Sequence, residues 1–326
     1  IRGTSRARVT REDGWQDVPT AVEKLDVAVL TPEQLRMEAG HLVDVLAEIA
    51  IRDADGLVDW LGMDLGSDGE KFSFGPVGNS LYGGTAGVAL LAAHFPEDAG
   101  RSDLLKVLMP PLLQMGESNR DGMRLRWWRD QALGLNGCGG TLLCLQQLAA
   151  FSENDLRESL QELESSLISA LLPDHIRADL VLDVIGGVAG LIGPLLQNGS
   201  ARALECAVLC GDQLLQHQTE EGGWSTGEVD RFPLLGFSHG TAGYAAALVK
   251  VGQCVDEPRF FEAASRALAY ERERFDANQG NWPDYRDYKP DQSSTFMTSW
   301  CHGAPGIALG RSCLLGTPLW DACCLD

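Results

Sequence analysis

A glycine frame recurs along this chain and restricts what it can fold into. Leu81-Tyr82-Gly83-Gly84-Thr85-Ala86-Gly87 leads into Val88-Ala89-Leu90-Leu91, Gly137-Cys138-Gly139-Gly140 into Thr141-Leu142-Leu143, and Gly187-Val188-Ala189-Gly190 into Leu191-Ile192. Gly240-Thr241-Ala242-Gly243 leads into Tyr244-Ala245-Ala246, and Gly303-Ala304-Pro305-Gly306 into Ile307-Ala308-Leu309. Aligned on Gly84, Gly137, Gly187, Gly240 and Gly303, the copies succeed one another at roughly fifty residues, a spacing that marks a repeat architecture. Helices that start on such a frame can approach closely at their first turns, where a side chain larger than hydrogen or methyl would hold the backbones apart.

The stretches between the frames read as capped, one-sided helices. Thr31-Pro32-Glu33-Gln34 has the form of an N-cap, a proline at the first helical position and a capping box. It predicts a helix to about Arg52 with Leu35, Ala39, Leu42, Leu46 and Ile49 on one stripe. Gly66 to Gly78 reads as a glycine- and serine-rich loop, and Ser102-Asp103 opens an apolar run to Met115. Ser152-x-x-Asp155 predicts a cap for a helix carrying Leu156, Leu160, Leu163, Leu167 and Leu171 on one face. Ser200 predicts a cap for Ala201 to His217, with Leu204, Val208 and Leu215 inward, and Asp256 precedes Pro258 and a helix to about Phe275. The glycine-frame helices are apolar nearly all round and must be buried. Buried helices alternating with amphipathic ones predict an all-α fold, an α/α barrel with an inner and an outer ring. Strand patterning is nearly absent. Residues 1–30 read as a strand-like lead-in or the remnant of a linker from something upstream, and 31–326 as one domain.

Composition narrows the partners. A net charge of -20 argues against nucleic acid and an anionic membrane surface as natural ligands. The run Leu180 to Leu196 is apolar, yet it carries Asp183 and four glycines, so no membrane span is expected. Nine cysteines, among them Cys144, Cys206 and Cys210 inside apolar runs, predict reduced core thiols in a cytoplasmic protein. No signal peptide is expected, although the chain opens at Ile1 without a methionine.

Chemistry concentrates just ahead of the frames. Asp183 precedes Gly187, His239 precedes Gly240, and Cys301 precedes Gly303, all within one helical turn, so the repeat should bring all three to one rim. Helix N-termini point unsatisfied N–H groups at that rim, which favours a thiolate or an enolate-like oxyanion. The bland alternatives are a packing cysteine, a histidine bonded to a backbone carbonyl and an aspartate serving as an N-cap.

Trp300-Cys301-His302-Gly303-Ala304-Pro305-Gly306, Leu235-Gly236-Phe237-Ser238-His239-Gly240-Thr241-Ala242-Gly243, Asp183-Val184-Ile185-Gly186-Gly187, Leu81 to Gly87 and Gly280-Asn281-Trp282-Pro283-Asp284-Tyr285-Arg286 together resemble the lanthionine synthetase C-like cyclase family. The similarity runs from about Thr31 to the end and is greatest to the C-terminal cyclase half of bifunctional class II lanthipeptide synthetases. It implies an α/α toroid and a zinc ion held by two cysteines and a histidine. It also implies a cytoplasmic enzyme that adds cysteine thiols of a dehydrated precursor peptide to dehydroalanine or dehydrobutyrine, with a dehydratase domain upstream in the parent chain. Carried over by residue, Cys301 would be the first zinc ligand, His239 a general acid or base and Asp183 its partner. Trp300 and His302 would bind substrate, His302 without touching metal. The family's second cysteine and its ligand histidine belong to a further repeat that has no counterpart here, and Cys323-Cys324 fall on an expected outer helix away from the rim. The expectation is five of seven inner helices, one of three ligands and a metal-poor fragment. The alternatives are a non-catalytic thiol- or peptide-binding relative and an α/α-barrel glycoside hydrolase using Asp183 with Asp284.

Overall fold

The computed structural model describes residues 31–52, 58–65, 72–78, 80–95, 128–129, 131–225, 232–286, 293–317 and 319–320. The 1–30 lead-in, the run from Ser102 to Met115 and Cys323-Cys324 lie outside them. Contacts divide the chain into 1–42 and 43–326; the described part of the first unit is the beginning of helix α1 (Pro32–Ile49), and all else belongs to the second. At the start of α1 the capping box forms as the sequence predicts. Thr31 N donates to Gln34 Oε1 at 2.9 Å, and Gln34 N donates to Thr31 Oγ1 at 3.2 Å.

The second unit is all-α, with three small two-stranded sheets among the described residues. The glycine frames open α2 (Thr85–Ala93), α3 (Cys138–Phe151), α6 (Val188–Asn198), α8 (Thr241–Val255) and α10 (Ala304–Ser312). Between them run α4 (Asn154–Ala170), the short α5 (Pro173–Arg177), α7 (Ala201–His217) and α9 (Pro258–Arg272). The frame helices pack in series, α2 on α3, α3 on α6, α6 on α8 and α8 on α10, while α4 covers α3, α7 covers α6 and part of α8, and α9 covers α8. Inner and outer layers therefore alternate along the chain as the patterning requires.

The glycines account for the close inner packing. A Cβ on Gly139 would stand 2.6 Å from the Gly190 carbonyl oxygen of the next inner helix, and one on Gly310 would stand 2.8 Å from Ala242. Inner helices α3, α6 and α8 are buried on most sides, α8 from Thr241 through Val249, whereas α10, contrary to the expectation for a frame helix, buries only Gly306, Ile307 and Gly310, and α4 buries only its Leu160, Leu163, Leu167 and Ile168 side. Each such leucine contributes roughly 1.5–3 kcal/mol of burial. Polar pins join the layers: Gln146 Nε2 on α3 donates to Glu164 Oε1 on α4 and to the Pro194 carbonyl on α6, both at 2.7 Å.

Four local expectations are corrected. The segment read as a loop from Gly66 to Gly78 contains half of a hairpin, β3 (Leu61–Leu65) paired antiparallel with β4 (Phe72–Pro76). It follows the smaller pair β1 (Ile51–Arg52) and β2 (Val58–Asp59). On α1, Leu35, Leu42 and Ile49 are exposed, and the buried side is that of Val43 and Leu46, where Trp60 Nε1 donates to the Leu46 carbonyl at 2.8 Å. Ser152 does not cap α4; its hydroxyl donates back to the Leu148 carbonyl at 2.7 Å, closing α3. Ser200 does cap α7, accepting from Ala203 N, but the helix turns Ala203, Cys206, Ala207, Cys210 and Leu214 inward, a strip of small residues beside the leucines expected there.

Candidate active site

The loops that deliver the chain to successive inner helices are joined edge to edge by main-chain hydrogen bonds. Leu133 N, Leu135 N and Asn136 N donate to the carbonyls of Gly186, Val184 and Ile185 at 2.8–3.0 Å. Val184 N in turn donates to the Ser238 carbonyl at 3.0 Å. Gly236 adopts φ 111° and lets its loop lie against 301–302, where a Cβ would come 2.9 Å from His302 Cα. Side chains from three repeats are thereby brought to one rim.

His239 Nδ1 lies 2.7 Å from Asp183 Oδ2. With a carboxylate as acceptor, Nδ1 carries the proton and Nε2 is left with its lone pair. Asp183 is buried, and its second oxygen, Oδ1, accepts from Gly186 N at 2.7 Å, so both oxygens are committed and the carboxylate is held in place. It does not cap α6. That task falls to Asp179, whose Oδ2 accepts from Val188 N, the first N–H of the helix, at 2.8 Å. Asp179 carries no motif spacing of its own, and its only signal in the sequence is a position before an apolar helix start.

His302 is buried with its ring stacked on that of His239, centroids 5.8 Å apart and planes 21° from parallel. Burial, with the nearby Arg286 guanidinium, pushes the His302 imidazole below its usual range, and the ring hydrogen-bonds the Leu235 backbone. Behind it the short pair β5 (Pro283–Asp284) and β6 (Thr295–Phe296) presents Asp284. Burial works against that carboxylate, but the hydrogen bonds and charge of Arg286 outweigh it and hold Asp284 below the usual range.

Cys301 is half-buried, its Sγ 2.9 Å from the Ser299 hydroxyl. Trp300 is partly exposed, and its ring centroid stands 6.4 Å from that of Tyr82 in the frame before α2. Asn281 holds this loop in place: its Oδ1 accepts from Ala304 N, the first residue of α10, and its Nδ2 donates to the Met297 carbonyl. Among the described residues no three His, Cys, Asp or Glu side chains converge as a metal ion requires. Within that set Cys301 is the one soft donor at this rim, and alone it does not make up a zinc tetrahedron. No described helix is long and apolar enough to cross a membrane.

The profile of a family described as lanthionine synthetase C-like protein matches residues 75–315, a span that takes in every glycine frame and every loop described above. The chain belongs to the lanthionine synthetase C-like family. Among solved structures, nisin cyclase superposes with a TM-score of 0.54 at 15% identity, over 89% of this chain and 74% of that one. The shared fold is the α/α toroid. Two possible members of the GH105 family superpose too loosely to bear on fold or chemistry. The one from Salmonella enterica has a TM-score of 0.32 at 14% identity over 85% of this chain and 88% of that one. The one from Klebsiella pneumoniae has 0.33 at 13% over 84% and 87%. No curated protein matches the chain. In this lanthionine synthetase C-like chain, the inner-helix loops are where Asp183, His239, His302 and Cys301 gather.

Proposed function

We propose that the chain forms lanthionine or methyllanthionine, adding a cysteine thiol of a dehydrated peptide across the double bond of dehydroalanine or dehydrobutyrine. The observation that carries this reading is the Asp183–His239 pair, bonded at 2.7 Å beside the Cys301 loop in a chain of this family. His239 Nε2 takes the thiol proton, the thiolate attacks the β-carbon, and the resulting enolate recovers a proton from the imidazolium at its α-carbon. One S–H is added across one C=C, so no oxidant, reductant or leaving group is needed. Asp183 stabilises the imidazolium and holds the tautomer that makes Nε2 the base. Trp300 and Tyr82 supply aromatic surface at the rim for the peptide.

The family resemblance also implies zinc, with Cys301 as one ligand. Among the described residues no full set of ligands stands around it, and the steps derived above are those of His239 and Asp183. Free, buried Cys138, Cys144, Cys206 and Cys210 support a reducing, cytoplasmic setting, and a dehydratase is the class of enzyme that must make the substrate. Incubation with a synthetic peptide holding one cysteine and one dehydroalanine tests the reading. Ring closure leaves the mass unchanged and abolishes alkylation by N-ethylmaleimide. Closure with the wild type and not with His239→Ala supports the proposal. A wild type that binds the peptide and leaves its thiol free identifies a non-catalytic peptide-binding protein.

A further inference from the structure

Asp183 is directed at His239 by a neighbour that touches neither substrate nor His239. Just before it, Leu182 is buried at φ 64°, in the left-handed region that leucine rarely adopts. Asp179 encloses this turn. Its Oδ1 accepts from Val181 N at 3.2 Å, and its Oδ2 accepts from Leu182 N at 3.0 Å and from Val188 N at 2.8 Å. The corresponding first N–H of three other inner helices goes to a main-chain carbonyl instead: Thr85 N to Gly78, Cys138 N to Ala132 and Thr241 N to Leu234. At the loop bearing Asp183, a side-chain carboxylate replaces that carbonyl and spans from Val181 to Val188. The Asp179 main chain is itself tied down, its carbonyl accepting from buried Gln213 Nε2 on α7 at 2.7 Å.

We infer that Asp179 is a positioning residue of the active site: by holding Leu182 in its left-handed turn it sets the Asp183 carboxylate against His239 Nδ1. The inference rests on the proposed acid–base role for its catalytic consequence, and on geometry alone for its structural one. Among the described residues the charged and titratable groups near His239 include Asp183, the stacked His302, the Cys301 thiol of the adjoining loop and, beyond the His302 ring, Arg286 and Asp284. Asp179 acts on the first of these.

The test uses the full chain with Asp179→Ala, Asp179→Asn and Gln213→Ala. The first readout is the hydrogen-bonded His239 Nδ1 proton in the downfield proton NMR spectrum, assigned by its disappearance in His239→Gln. The second is kcat and KM with the cysteine and dehydroalanine peptide, and the third is the thermal midpoint. Asp179→Ala is expected to lose the Nδ1 signal while still folded and to drop kcat by about 10²-fold with KM little changed, the scale of an ångström-sized misplacement. Asp179→Asn keeps an acceptor oxygen and is expected to retain the signal and most of the rate. Gln213→Ala is expected to lower the midpoint and leave the signal in place. Retention of signal and kcat in Asp179→Ala overturns the inference, and so does an equal loss of signal in Gln213→Ala, which would reduce the effect to general destabilisation. If Asp179→Ala does not fold, Asp179→Ser, with one hydroxyl for three N–H groups, is read in the same way. Because the NMR signal needs no turnover, its loss in a protein whose wild type closes no ring would sink the cyclase reading and leave the positioning role standing.

Discussion

His239 Nδ1 and Asp183 Oδ2 meet at 2.7 Å across 56 positions of sequence because Val184 N donates to the Ser238 carbonyl, binding their two loops together. The pair is a property of two adjacent repeats and of neither alone. Asp183→Asn keeps the volume and removes the charge that favours an imidazolium. It is expected to lower kcat for ring closure by 10²- to 10⁴-fold, the range of general acid–base catalysis, while peptide affinity changes little. Steady-state kinetics with the peptide substrate check it, and an unchanged kcat would remove Asp183 from the mechanism.

Thiol reactivity should sort by position. Burial pushes the Cys138 and Cys144 thiols up to about 12 and that of Cys210 well above its usual value, whereas Cys254 is exposed and Cys301 and Cys313 are half-buried. Since the thiolate is the species that alkylates, iodoacetamide at pH 8 should label Cys254, Cys301 and Cys313 well before Cys138, Cys144 and Cys210. Peptide mapping by mass spectrometry reads the order, and early modification of Cys138 in folded protein would contradict the packing of α3.

Two glycines on one inner helix should respond oppositely to alanine. A Cβ on Gly190 would overlap the Val184 carbonyl oxygen and crowd Gly134, but one on Gly193 meets nothing within 4 Å. Gly193→Ala is therefore expected to raise stability by up to about 1 kcal/mol through helix propensity. Gly190→Ala should cost at least 1–3 kcal/mol and move the Asp183 loop with it. Chemical denaturation of the two variants measures both signs.

Glu271 on α9 is fully buried, paired at 2.9 Å with Arg311 of α10, and its Oε2 has no hydrogen-bond partner among the described residues. Burial pushes its carboxyl up to about 7, against the partial offset of Arg311. A carboxyl whose folded pKa exceeds its unfolded value binds its proton more tightly in the native state. Its contribution is complete below about 4.5, the unfolded value, and is lost as pH rises through about 7. Thermal midpoints should accordingly fall between pH 5 and 8 in the wild type and fall less in Glu271→Gln, which should be the more stable of the two at pH 8. Equal slopes would show that Arg311 keeps Glu271 ionised throughout.

Much of this architecture was legible because the glycine frames record a contact between repeats: Gly139 against Gly190 is a close approach that no larger residue permits. The placement of Asp183, His239 and Cys301 at one rim was legible for the same reason, each standing within four residues ahead of a frame glycine. What stayed hidden depends on partners remote in sequence. The inward face of α1 is chosen by Trp60, and a hairpin such as β3 with β4 is stabilised by pairing that the glycines and serines around Gly66 to Gly78 obscure. Ser152 could cap forward or close the helix behind it, and local sequence does not decide between them. Asp179 went unnoticed because its value lies in three backbone N–H groups that only the folded turn assembles.

The main-chain bonds that tie the 133–136, 184–186 and 238 loops together run between repeats, whereas the helical hydrogen bonds run within them. Helix content and catalytic competence are thus separate properties of this chain. A single repeat that detaches would keep nearly all of its circular dichroism and carry off one member of a constellation that needs every neighbour docked. Activity would then be the more sensitive gauge of assembly, fading while the spectrum still looks native.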